Sequence, residues 1–161
     1  MEERCIALKL LLDELDVPAE ITSVSDRKRI QKSIYLLQPA GLDLGYRFGW
    51  YVMGPYSPAL TRDYYDLAAS LGEGEEDFKG MTLRGSVLRS LEKVKPLLNV
   101  PEDVPLDQAA WLELVASVHY LQQVRGFDEH TADDTLQHEK PDLGPYAGQA
   151  RRQLEATSLL S

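Results

Sequence analysis

YRFGWYVMGPYSPALTRDYYDLAASL, from Tyr46 to Leu71, is the stretch whose reading decides the fold. Tyr46, Phe48, Trp50 and Val52 alternate with Arg47, Gly49, Tyr51 and Met53, the two-residue period of a strand. Gly54-Pro55 then breaks it, because proline has no N–H and glycine tolerates positive φ. Ser57 is placed to cap the next helix, with Pro58 at its first position. Leu60, Tyr64, Leu67 and Leu71 recur at helical spacing, and Gly72 stands where a C-terminal glycine belongs. The stretch therefore predicts a strand, a turn and a capped helix.

N-terminal to it, Glu2 to Asp16 reads as a helix with Leu8, Leu11, Leu12 and Leu15 on one face, ended by Val17-Pro18. Ser23 or Ser25 caps a second helix running to about Gln38, with Ile30, Ile34 and Leu37 inward. Pro39-Ala40-Gly41 stops it. C-terminal to the stretch, Gly72–Asp77 is a glycine and acid turn, and Phe78–Leu83 is expected to pair with the 46–53 strand as a two-stranded ribbon. Ser86 is expected to cap a helix bearing Val87, Leu91, Val94 and Leu98, which Pro96 ends or kinks near Lys95.

The proline-containing connector 99–106 leads to Asp107, an N-cap for a core helix carrying Trp111, Leu114, Val115, Val118 and Leu121. Leu106 and Trp111 are spaced as a hydrophobic staple, and Gly126 closes the helix. Thr131 with Asp134 is spaced as a capping box for a short helix ended by Pro141. Gly144-Pro145 opens the last helix, with Tyr146, Ala150 and Leu154 inward. The expected fold is α+β and mainly α: six or seven helices with a small two-stranded β-ribbon, a winged-helix-like arrangement being one form of it. A single domain over 1–161 is expected, with the connector marking subdomains 1–98 and 107–161.

With 161 residues, 43% of them hydrophobic and 27% charged, the composition is that of a globular domain with a real core. Cys5 is the single cysteine, so no internal disulfide forms, and its apolar surroundings predict a buried thiol. The N-terminus mixes acids into its apolar run, unlike a signal peptide, and no run approaches the roughly 18 apolar residues of a membrane span, so a cytoplasmic location without membrane partners is expected. A net charge of −9 works against non-specific nucleic-acid binding.

Phosphate-binding loops, dinucleotide fingerprints and nucleophile elbows are missing from the sequence. His130 and His138, with Asp133 and Asp134 between them, read as exposed residues of a polar helix rather than as metal ligands, and His119 reads as a hydrogen-bonded core histidine. Asp128/Glu129 and Asp133/Asp134 read as solvated surface, not a carboxylate pair held for acid–base chemistry. No catalytic residue, metal or cofactor is assigned.

Two candidate sites remain. Arg27, Lys28, Gln31 and Lys32 form a basic helix face that would suit phosphates, with Gln31 the one side chain suited to a base edge. Arg47, Tyr51, Tyr56, Arg62 and Tyr65 form an aromatic and cationic surface of the kind enriched at protein interfaces, whereas Trp50 and Tyr64 suit the core.

The set Arg29-Ile30-Gln31-Lys32-Ser33-Ile34-Tyr35-Leu36-Leu37, Gly41, Tyr46-x-Phe48 and Gly54-Pro55-Tyr56-Ser57-Pro58-x-Leu60 resembles the YwgA-like bacterial family. Trp111–Leu121 and Lys140-Pro141 are similar to that family as well, so the resemblance spans most of 25–155. Met53, where an aromatic is common, and Ile30, where leucine is common, depart from it. More remotely, the QK-x-x-Y and Gly-Pro pattern is similar to the Panacea domain of SocA-like antitoxins, although members of that group usually carry a different residue after Gly-Pro. That resemblance implies a non-enzymatic protein that neutralises a toxin, or serves a phage-defence or mobile-element complex, by binding another protein. The alternative expectation is a winged-helix-like DNA-binding regulator working through Arg27, Lys28, Gln31 and Lys32.

Overall fold

A computed structural model describes residues 1–160. Helix α1 spans Glu3–Glu14 and buries Cys5, Leu8, Leu11 and Leu12. Helix α2 spans Val24–Leu37 and starts in a capping box: the Asp26 amide donates to Ser23 Oγ at 3.0 Å and the Ser23 amide to Asp26 Oδ2 at 3.1 Å. Strands β1 (Gly49–Tyr51) and β2 (Gly54–Tyr56) follow, then α3 (Pro58–Gly72), capped by Ser57 with Pro58 in its first turn. Helix α4 (Gly85–Val94) runs into a 3-10 turn at Lys95–Leu98, where Pro96 ends the α-helix as expected.

Helix α5 (Gln108–His119) is capped by Asp107 and followed by a π-type turn, Tyr120–Val124. Helices α6 (Glu129–Glu139) and α7 (Ala147–Ala156) complete the chain. α5 is the axis of the core: every side chain from Trp111 to His119 is buried. It packs against α2 on one side and α7 on another, while α1 packs on α3. One hydrophobic cluster takes residues from Cys5 through to Leu160, so both sides of the 99–106 connector share it. The architecture is the expected mainly helical α+β fold with one two-stranded antiparallel ribbon.

The ribbon itself differs from the expectation. Its second strand is Gly54–Tyr56, not Phe78–Leu83, with Gly49 opposite Tyr56, Trp50 opposite Pro55 and Tyr51 opposite Gly54. Val52 and Met53 form the turn with negative φ, and Gly54 supplies the left-handed residue at φ +88°. Closing so short a loop costs less chain entropy than reaching residue 78. The 78–83 segment instead makes turns, with the Lys79 amide on the Glu76 carbonyl at 2.9 Å and Gly80 left-handed at φ +77°. Val52, in the same alternating set as Tyr46, Phe48 and Trp50, is 91% exposed because the turn takes it out of the strand alternation.

Three caps also move. The Arg84 carbonyl already accepts from Val87 and Leu88 amides, so α4 begins before Ser86. Asp128, not Thr131, caps α6: its Oδ1 accepts from the Thr131 amide at 2.7 Å. α3 continues through Gly72, and the left-handed residue is Gly74, whose amide donates to the Leu71 carbonyl at 3.0 Å.

Candidate functional site

Helix α2 carries Gln31 and Lys32 on the face that meets the ribbon and the start of α3, and both are buried. Gln31 clasps the Ser57 peptide in both directions: Nε2 donates to the Ser57 carbonyl at 2.9 Å, and the Ser57 amide donates to Oε1 at 3.0 Å. Nε2 also donates to Thr61 Oγ1 at 2.9 Å. Thr61 in turn reaches the hydroxyls of Tyr56 (2.6 Å) and Tyr64 (3.3 Å). A glutamine in a helix thus fixes the N-terminus of α3 and lines up two tyrosines.

Lys32 donates to the Pro55 carbonyl at 2.6 Å. Among the described residues no carboxylate pairs with it; burial and the neighbouring charges of Lys140 and Lys28, opposed by Glu113, push its pKa down to about 7. Glu113, on α5, pairs with Lys28 at 2.8 Å and Lys140 at 2.7 Å. Burial works against its charge, but the hydrogen bonds from Lys140 and Lys28 outweigh it and hold its pKa below the usual range. Lys140 also donates to the Val52 carbonyl at 2.7 Å and lies over the Trp50 ring, 5.4 Å from its centre. The hairpin is therefore held from below by two ammonium groups on its backbone carbonyls.

Lys28, Gln31, Lys32, Tyr56, Thr61 and Tyr64 line a cavity of about 290 Å³ together with Val24, Arg27, Met53 and Tyr65, and Glu113 and Lys140 stand outside that lining. The two sets of residues singled out from the sequence meet here. Arg27, Lys28, Gln31 and Lys32 line it from α2, and Tyr56 and Tyr65 from the other side. Tyr51, half exposed, packs edge-on against Tyr56 with ring centres 5.1 Å apart. Arg47 and Arg62 are exposed but do not line it.

As base readers, Gln31 and Lys32 are corrected: both are hydrogen-bonded to backbone inside the protein, and Gln31 is only 2% exposed. The basic helix face reduces to Arg27, which donates to the Ile21 carbonyl at 2.7 Å, and Lys28, which is paired with Glu113. The surface rim, by contrast, is apolar. Val24, Tyr51, Met53 and Tyr65, four of the large hydrophobic side chains left exposed, stand on or beside the cavity mouth.

The sequence reading missed Glu113, Lys140, Thr61, Met53 and Val24. Glu113 had a signal: an acid within the apolar run WLELVASV sits on a helix buried on all sides, where a charge must find partners. The partners lie 85 and 27 positions away in sequence and left no local trace.

His119 is buried as expected, with Nδ1 2.7 Å from the Tyr35 hydroxyl, and burial pushes its pKa down to about 4. Burial pushes the Cys5 thiol up, away from thiolate chemistry. His130 is exposed and 3.3 Å from Asp134, and among the described residues no group of three potential metal ligands forms. No described helix is long and apolar enough to cross a membrane. No family model, curated protein or solved structure matches the chain.

Proposed function

We propose that the chain is a non-catalytic protein-binding module that docks a partner on the face formed by the β1–β2 hairpin, the start of α2 and the exposed side of α3. The observation that carries this reading is the apolar rim: Val24, Met53 and Tyr65 are 47%, 41% and 47% exposed around one concavity. Scattered exposed hydrophobics are ordinary, but a cluster at a concave mouth marks an interaction surface. Tyr51 and Tyr56, already packed edge-to-face, offer rigid contact area at little entropic cost. Buried hydrogen bonds hold the cavity wall in shape before a partner arrives, which lowers the ordering cost of binding. The antitoxin-like or phage-defence role rests on the motif resemblance at Gln31-Lys32 and Gly54–Ser57, and the partner in that reading is a toxin or another defence-complex subunit.

The test is site-specific photo-crosslinking in the native cell. A photoreactive residue at Met53 or Tyr65 is expected to trap one protein species, a residue at Lys79 none, and Met53→Glu is expected to abolish the crosslink from Tyr65 while the thermal unfolding curve stays unchanged. Equal trapping from both faces, or none from either, rejects the reading.

A further inference from the structure

The cavity carries more positive charge than the protein supplies anions to balance. Of the three cations that line it, Arg27, Lys28 and Lys32, only Lys28 has a carboxylate partner among the described residues, Glu113, and Glu113 is shared with Lys140, which lies outside the lining. Arg27, on the same wall, donates to the carbonyls of Ile21 and Thr22. None of the side chains lining the cavity is acidic, in a chain whose net charge is −9. A buried ammonium held by one carbonyl is costly to keep charged, and an incoming anion relieves that cost.

The rest of the wall is apolar or aromatic: Val24, Met53, Tyr56, Tyr64 and Tyr65. The space, about 290 Å³, is at the small end for a ligand site and suits a side chain better than a cofactor. A nucleic acid would need a track of exposed cations along its phosphates, whereas Lys32 is buried, Lys28 is paired with Glu113 and the molecule is acidic. Building on the protein-binding reading, we infer that the cavity seats an acidic side chain of the partner, an aspartate or glutamate next to a bulky apolar residue. The carboxylate faces Arg27 and Lys32, and the apolar neighbour packs on Met53, Tyr56 and Tyr65.

Random dodecapeptides displayed on phage, selected on the full chain and remade with a fluorescein label, test this by fluorescence anisotropy. Selected peptides are expected to carry Asp or Glu beside Leu, Ile, Phe or Trp. Lys32→Met and, independently, Arg27→Ala are expected to weaken them by about tenfold or more, and Lys79→Ala to leave them unchanged. Acidic peptides that bind Lys32→Met and Arg27→Ala as tightly as wild type overturn the inference. Neutral or basic peptides that are lost on Met53→Glu also overturn it, but leave the protein-binding reading standing. Peptides indifferent to Met53→Glu, or no selected peptide at all, overturn both. So does labelled duplex DNA that binds more tightly than any peptide and is lost on Lys32→Met.

Discussion

The Lys32 ammonium lies 2.6 Å from the carbonyl oxygen of Pro55. This contact joins the middle of α2 to the strand that follows the hairpin turn, and it places a cation on the cavity wall without a carboxylate partner among the described residues. It also sets the pH behaviour of the fold.

Lys32→Met removes a buried charge while keeping most of the volume. In the unfolded chain Lys32 titrates at its ordinary 10.5, in the folded protein at about 7. Below pH 7 it is charged in both states and the full burial cost is present. Between about 7 and 10.5 the unfolded state holds more protons, so wild-type stability rises with pH across that window. The variant is expected to be the more stable below pH 7, by up to a few kcal/mol, with its advantage shrinking as pH rises. A stability difference that stays flat across the window would contradict the assignment.

Gln31→Ala leaves the Ser57 amide without its acceptor, whereas the Ser57 carbonyl loses one donor and keeps the Thr61 amide at 3.2 Å and the Thr61 hydroxyl at 3.3 Å. The loss is expected at about 1–3 kcal/mol in urea unfolding, because a buried donor without a partner costs more than the hydrogen bond it made.

Glu113→Gln leaves Lys28 and Lys140 without their shared counter-ion and is expected to cost about 3–5 kcal/mol. Adding Lys140→Met to it is expected to recover part of the loss, since the two residues form one unit. Additive losses in the double variant would refute that coupling.

Gly54→Ala meets two obstacles at once. The residue is left-handed at φ +88°, and a Cβ there would come within 2.5 Å of Ser117 Oγ. A loss of about 2 kcal/mol or more is expected, only partly relieved by Ser117→Ala, which opens space but leaves the backbone strain. Full rescue would show that the contact alone matters.

His119 predicts the acid side of the stability curve. Its pKa is about 4 when folded against an ordinary 6.5, and its Nε2 has no partner among the described residues. Between 6.5 and 4 the unfolded state binds the extra proton, so stability falls as pH drops through that range, by about 3 kcal/mol. His119→Gln, which retains an acceptor for Tyr35, is expected to lack that component when thermal midpoints are compared across the window.

Much of the fold was legible because local rules suffice for it. The cap at Asp107, the proline break at Pro96 and the leucine face of α1 each depend on residues within a turn or two of one another. The two candidate surfaces were legible as residue types, but not as one place. Nothing in the spacing of Gln31 and Tyr65 says that they face each other across the same cavity.

The tripeptide Gly-Pro-Tyr shows where local reading stops. At 54–56 it is a strand paired with β1, and at 144–146 it is a 3-10 turn. The first copy has Lys32 on its proline carbonyl and Ser117 against its glycine, and the second sits on Gln137. By itself, the amino-acid order determined where helices start and stop and which faces are apolar, since backbone sterics and capping act over a few residues. Only the folded chain decided which strand closes the ribbon, which lysines lose their solvent and which tyrosines keep it. Those outcomes depend on burial and on charges brought together from distant positions, and no short window of sequence encodes either.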